Sequence, residues 1–263
     1  MPEDIDPNVP HIARVYNYWL GGTDNFPVDR ELAERFIAAD PDVILGVRRH
    51  RAFLIRAVEF LTREAGIRQF LDIGTGIPTA ENVHEVAQRN VPGCPVLYVD
   101  NDPISIGHGR NLLAEHPAEH VEYIDADLRD PETLLIAARD HLNFDEPVGL
   151  MLLSVLHCIP DSDEPARIVR KLIDAVPAGS HVTISHPASG IHADQIAAGS
   201  ALLNKSLSSP VAFRPYDRVL SFFNGLELID PGLVSHSQWR PHPGADTKPY
   251  SAWAGVARKL PTR

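Results

Sequence analysis

The chain has 263 residues, is 44% hydrophobic, and sets 35 Asp and Glu against 24 Lys and Arg for a formal net charge of −11 at pH 7. That length buries the core of one ordinary α/β domain with a sizeable appendage, and the acidic balance argues against the broad basic footprint from which nucleic-acid binding draws much of its affinity. The start, Met1-Pro2-Glu3-Asp4-Ile5-Asp6, is acidic without an apolar leader, the apolar stretch around Val148 to Leu156 is too short to span a bilayer, and Cys94 and Cys158 form no metal-type pair, so a cytoplasmic chain without a membrane partner is expected.

Residues 1–68 read as helical, with Leu32, Phe36 and Ile37 on one face of one segment and Leu54, Val58 and Leu61 on another. Tyr16, Tyr18 and Trp19 adjoin Gly21-Gly22 and the polar Asp24-Asn25, a mixture that suits a loop closing over a ligand with aromatic walls. An aromatic helix docked on a sheet, with a capped turn after it, accounts for the same residues equally well.

From residue 69 onward, short apolar runs alternate with amphipathic segments, the signal for βαβ units and a parallel sheet. Strands are expected near 69–73, 95–100, 120–124, 148–154 and 180–186, and helices over 79–90, 103–115 and 164–176. Residues 190–223 read as a helical insertion over the strand ends, broken by Pro210 and Pro215. Two further strands, 226–230 and 252–257, flank a loop rich in Pro, Gly and His and form an antiparallel hairpin at one sheet edge.

The first strand carries the most chemistry, running Phe70-Leu71-Asp72-Ile73-Gly74-Thr75-Gly76-Ile77-Pro78. It ends in an acid and opens into a glycine turn, with a helix expected beyond Pro78. Gly74 and Gly76 let the backbone turn sharply and a nucleotide-type cofactor lie against it. A dinucleotide would present an anionic pyrophosphate to Asp72, whereas S-adenosylmethionine presents a sulfonium and an ammonium, which a carboxylate favours. The third glycine of the dinucleotide fingerprint is replaced by Thr79.

The second strand ends Val99-Asp100-Asn101-Asp102. Asp100 is placed to accept both ribose hydroxyls; the alternative is that Asp100 or Asp102 only caps the helix starting at Pro103. After the third strand, Asp127 is the candidate acceptor for the adenine amino group, with the Leu128 backbone N–H facing a ring nitrogen; otherwise it is a loop acid or a cap before Pro131. Three acids at three successive strand ends lie where open α/β sheets gather ligands.

With Leu71-Asp72-Ile73-Gly74-Thr75-Gly76, Asp100, Asp127 and Leu153-Ser154-Val155-Leu156-His157 in place, the chain resembles the class I S-adenosylmethionine-dependent methyltransferases. The runs from Ala13 to Arg30 and from Arg49 to Leu54 are similar to an actinobacterial family of S-adenosyl methyltransferases long catalogued as a domain of unknown function. The resemblance implies a Rossmann-like fold over 69–263, with a seven-stranded, mostly parallel sheet under a helical lid or extension of residues 1–68. It also implies S-adenosylmethionine as cofactor, held by Asp72, Gly74, Thr75, Gly76, Asp100, Asn101, Asp102, Asp127, Leu128, Ser154 and Val155, with Tyr18, Gly22 and Asn25 reaching its methionine end or the acceptor.

His157 resembles the histidine that deprotonates a hydroxyl in small-molecule O-methyltransferases, although a histidine here also occurs in relatives where it is no base. Tyr16, His186 and Phe222 are candidates for the acceptor pocket, His186 being equally suited to a hydrogen bond at its strand end. The Asn or Asp followed by Pro-Pro and an aromatic, typical of enzymes that methylate nucleobase amines, is missing. A small molecule methylated at oxygen is therefore expected, with no nucleic-acid partner. Among the thirteen histidines no fixed ligand spacing appears, and no metal is expected. The rival classes are a noncatalytic binder of S-adenosylmethionine or S-adenosylhomocysteine, a partner-binding module on the same fold, and a nicotinamide oxidoreductase, which Asp72 and Thr79 disfavour.

Overall fold

The computed structural model describes residues 6–261, so Met1 to Ile5 of the acidic start, and Thr262 and Arg263, lie outside it. Helices α1 (Ile12–Trp19), α2 (Pro27–Ala39) and α3 (Val43–Arg63) come first. Pro27 takes the first helical position of α2, where a missing N–H costs nothing, and Asp29 accepts the Phe26 N–H at 2.8 Å. Leu32 and Phe36 on α2 and Leu54, Val58 and Leu61 on α3 are buried, as their spacing predicts, while Ile37 is half-buried.

The chain then alternates strand and helix: β1 (Phe70–Ile73), α4 (Val83–Asn90), β2 (Val96–Asp100), α5 (Pro103–Glu115), β3 (Val121–Asp125), α6 (Pro131–Ala138), β4 (Gly149–Leu153), α7 (Pro165–Ala175) and β5 (His181–Pro187). It closes with α8 (Ala193–Ser206), α9 (Tyr216–Leu220), β6 (Glu227–Leu228), β7 (Val234–Ser235) and β8 (Ala252–Arg258). The sheet order is β3-β2-β1-β4-β5-β8-β6, with β7 also on β8. Strands β1 to β5 are parallel and β8 runs antiparallel between β5 and the edge. Because β6 pairs with Ala257 and Arg258 while β7 pairs with Trp253 and Ala254, the two short strands share one edge. The sheet thus has the expected seven positions, the last one split where residues 229–233 leave the edge.

Both faces are covered, which is why the central strands are continuous apolar runs. Leu71, Leu97, Leu150 and Val182 pack with Leu134 of α6 and Leu172 of α7. Phe70, Tyr98 and Met151 pack on the other face with Leu54 of α3 and Val86 of α4. Asp72 shares the pleat side of Phe70 and therefore faces α3 and α4. The strand order reverses between β1 and β4, so the crevice outside their carboxyl ends is where such a sheet places a ligand.

One segment departs from expectation, and the 190–223 insertion is helical and broken around Pro210 and Pro215 as expected. Helix α4 begins at Val83 rather than 79, because Glu81 is left-handed at φ 63° and the Asn82 N–H is capped by the Glu85 carboxylate at 2.6 Å. Pro78 consequently lies in the connecting loop and opens no helix. Within 190–223, α8 and α9 are separated by an extended stretch containing Pro210 and tied to β5 by a bridge between Ala188 and Arg214.

Candidate functional site

A cavity of about 420 Å³ opens at the carboxyl ends of β1, β2 and β4, beneath α1, α3 and α8. Its floor is the glycine turn. Gly74, at φ 75°, donates its N–H to the Val99 carbonyl at 2.8 Å, and a Cβ on it would lie 2.2 Å from Val155 Cγ2, so the loop after β1 rests directly on the loop after β4. Gly76, at φ 65°, donates its N–H to Asp100 Oδ2 at 2.7 Å, while a Cβ there would meet nothing within 4 Å. One glycine is required by close packing, the other by its backbone angle.

Asp100 also accepts the Asp102 N–H through Oδ1 at 2.9 Å. Burial raises its pKa, and these two backbone donors oppose the rise. Beside it, the Asn101 amide donates to Asp127 Oδ2 at 3.1 Å, and Asp127 Oδ1 accepts the Arg129 N–H at 2.8 Å. Leu128 is buried and, with Val99, Ala126 and Val155, forms an apolar slot next to these polar groups.

Asp72 is 5% exposed on the cavity wall, and burial pushes its pKa up to about 7 against the pull of the Arg51 guanidinium, with Asp100 adding to the rise. Arg51, on α3, donates to the carbonyls of Ala80 at 3.0 Å and Glu81 at 2.8 Å. The glycine-turn end therefore presents a carboxylate and a guanidinium together.

At the end of β4, Ser154 adopts φ 50° and donates its N–H to Ser185 Oγ at 3.0 Å. The same hydroxyl lies 2.7 Å from His50 Nε2, and His50 Nδ1 lies 2.8 Å from the Tyr16 hydroxyl. Burial first, then His236, Arg51 and His157, hold the His50 pKa well below its ordinary value, so this chain of hydrogen bonds is electrically neutral. Burial raises the Tyr16 phenol to about 12. His157 follows on the short turn Leu156–Cys158 and lines the cavity. Burial and the Arg214 charge lower its pKa to about 4, and its buried Nδ1 has no hydrogen-bond partner among the described residues.

Tyr16, Asp72, Gly74, Thr75, Gly76, Asp100, Asn101, Asp127, Leu128, Ser154, Val155 and His157 thus come together on one cavity. Six other candidates lie off its wall. Tyr18 turns its hydroxyl to Glu34 on the outer surface. Gly22 packs on Asn17, whose Nδ2 a Cβ would approach to 2.4 Å, and Asn25 donates to Asn17 Oδ1 at 2.8 Å and to the Gly22 carbonyl at 2.9 Å. The segment expected as a loop over the ligand is helix α1 and its stitched turn. Asp102 caps α5, accepting the Ile104 N–H at 3.0 Å. His186 is fully buried, receiving Arg214 Nη1 on Nε2 at 2.9 Å, and Phe222 packs in the core beside it.

Sequence reasoning gave no role to His50 and Arg51, which lie within the Arg49 to Leu54 run, and did not single out Arg214. Arg214 is 3% exposed and donates to the carbonyls of Leu156 at 2.8 Å and Ile159 at 2.7 Å, fastening the loop that carries His157. Among the described residues no cluster of three His, Cys, Asp or Glu is arranged to hold a metal, and no helix is long and apolar enough to cross a membrane.

A family model described as S-adenosyl methyltransferase matches residues 1–260. A DUF574 family protein of Streptomyces avermitilis is similar at 36% identity and TM-score 0.91, over 97% of this chain and 99% of that one. A candidate methyltransferase of Thermobifida fusca is similar at 36% identity and TM-score 0.90, over 99% of this chain and 98% of its own. An O-methyltransferase family protein of Burkholderia thailandensis shares the fold alone, at 15% identity and TM-score 0.55, over 90% of this chain and 62% of that one. No curated protein matches significantly.

Proposed function

For a chain that belongs to the S-adenosyl methyltransferase family, we propose transfer of the methyl group of S-adenosylmethionine to a small-molecule acceptor, at oxygen. The observation that carries this reading is the continuity of one cavity from Gly76 and Asp100 to an apolar chamber walled by Trp19, Phe36 and Leu203. Donor and acceptor would share it without crossing water.

The residues present suit the donor. Gly76 leaves open space over the turn, and each Asp100 oxygen keeps a lone pair for a ribose hydroxyl. The slot of Leu128 and Val155, edged by Asn101, Asp127 and the Leu128 N–H, suits adenine. Asp72 and Arg51 offer opposite charges to the ammonium and carboxylate of a methionine end. When bound, the donor supplies a methyl carbon on a positively charged sulfur.

The protein's share is orientation and exclusion of water. Residues 6–68 and the 190–223 segment act as the cover, with Tyr16 at the acceptor. His157, neutral at pH 7, accepts the hydrogen bond and then the proton of an acceptor hydroxyl. With a pKa of about 4 it is a weak base, so its larger contribution is to aim the oxygen. Holding two reactants in line supplies on the order of 7 kcal/mol in favourable models.

The test uses S-adenosylmethionine with a carbon-13 methyl label, incubated with the full chain and a small-molecule extract. A product methyl with the carbon shift of a methoxy group is expected. Label that stays on the donor, or that appears on nitrogen or carbon, contradicts the reading.

A further inference from the structure

The far end of the cavity holds a carboxylate that the cofactor does not explain. Asp40, the residue that ends α2, is 4% exposed and lies on the wall of the apolar chamber. The only hydrogen bond its carboxylate makes within the described residues is from the Asp42 N–H, at 3.2 Å on Oδ1. No ion pair among the described residues includes it. Lys248, whose charge acts on it, is committed to Asp42 at 2.7 Å, and His192, on the same wall, has its Nδ1 3.4 Å from Ser251 Oγ. Burial first, then the Asp42 charge, raise the Asp40 pKa, and the Asp42 N–H, followed by His192 and Lys248, opposes them only partly. A buried acid without a counterion is costly unless a ligand brings one.

The walls around it fit the same ligand. Trp19 and Phe36 line the chamber with ring centroids 5.0 Å apart, and Tyr250, stacked on His236 with Lys248 Nζ 5.7 Å from its ring centroid, lines the same cavity. Aromatic side chains beside a carboxylate are the chemistry that holds a cation carried on an apolar body. We propose that the acceptor is an amphipathic amine: its ammonium group is anchored by Asp40 between aromatic walls, and its apolar body fills the chamber, leaving its nucleophile toward the glycine-turn end. The inference rests on reading this chamber as the acceptor site, and assigns the ammonium to recognition rather than to methylation.

The test measures binding and needs no turnover. The full chain, saturated with S-adenosylhomocysteine, is titrated calorimetrically with tyramine and hexylamine, and with their neutral counterparts 4-propylphenol and hexanol. Each amine is expected to bind about tenfold or more tightly than its counterpart, as one charge-assisted hydrogen bond allows. In Asp40→Asn that preference should vanish while the affinities of the neutral compounds and of S-adenosylhomocysteine stay unchanged. Amines that bind no better than their counterparts overturn the proposal, and so does a preference that survives in Asp40→Asn. The wild-type comparison decides alone if that variant does not fold. Failure to bind S-adenosylhomocysteine would instead strike the proposed function, so the two failures are distinguishable.

Discussion

Replacing Gly74 by alanine tests whether the loops after β1 and β4 are packed as tightly as the geometry says. The new Cβ would stand 2.2 Å from Val155 Cγ2 and 2.5 Å from Val155 Cβ, at a backbone φ of 75°. The left-handed angle costs about 1–2 kcal/mol for a residue with a Cβ, and overpacking adds about 1–3 kcal/mol, so a loss of about 2–5 kcal/mol is expected. Urea denaturation reads it directly, and the thermal midpoint should fall by about 2–4 °C per kcal/mol for a chain of this size. Gly76→Ala is the control: it has a similar φ of 65° but no atom within 4 Å of its Cβ. It should lose only the angular part in stability, about 1–2 kcal/mol, yet weaken S-adenosylmethionine, because its methyl group projects into the cavity. Trimming the neighbour in Gly74→Ala/Val155→Ala should recover part of the loss. A Gly74→Ala protein as stable as Gly76→Ala would refute the packing argument.

Asp100→Asn keeps an acceptor for the Gly76 N–H but weakens the proposed ribose contacts, and calorimetry should show S-adenosylmethionine affinity falling about ten- to a hundredfold. An unchanged affinity would move the ribose elsewhere. Asp29, fully buried, accepts the His11 N–H at 2.9 Å, Arg14 Nε at 2.8 Å and the Phe26 N–H at 2.8 Å, so Asp29→Ala strands a buried guanidinium and should cost about 3–5 kcal/mol in urea denaturation. A loss below about 1 kcal/mol, the range of an exposed pair, would contradict it. Asp72, with its pKa raised from 3.8 to about 7, binds more protons folded than unfolded between those values, so it makes stability fall as pH rises through them. His157, lowered from 6.5 to about 4, acts oppositely, its contribution being lost as pH falls through that window. A cationic ligand beside Asp72 should expel its proton. Calorimetry in buffers of different ionisation enthalpy should show about one proton released on S-adenosylmethionine binding at pH 6, little above pH 9, and little at either pH in Asp72→Asn. Equal release by the variant would assign the proton to another group.

The elements readable from sequence are those with local causes. Helix α5 starts where Asp102 and Pro103 say it should, since a capping carboxylate and a proline at the first helical position act without help from the rest of the chain. The central strands were legible because a parallel sheet covered on both faces demands unbroken apolar runs. The start of α4 was not, because nothing about Glu81 as a residue type announces a left-handed backbone. Strand β7, two residues long, has no periodicity to read.

The same division runs through the site. Asp72, Asp100 and Asp127 lie at or just beyond strand ends, where a parallel sheet gathers ligands, and the three line one cavity. His50 and Arg51 precede the glycine turn on a helix whose packing on the sheet, rather than its spacing, carries them to the cavity. In the N-terminal run, Gly22 and Asn25 have ligand-binding composition, yet their space and hydrogen bonds are taken by Asn17. Composition alone does not tell a polar turn that meets a ligand from one that holds a helix in place.

The most direct test of the account is a calorimetric titration of the wild-type chain with S-adenosylmethionine and, separately, with NAD. Saturable one-to-one binding of S-adenosylmethionine with no heat from NAD is the predicted result. No binding of S-adenosylmethionine, or an equal affinity for NAD, would contradict the assignment of the Asp72 to Gly76 turn to a cationic methyl donor.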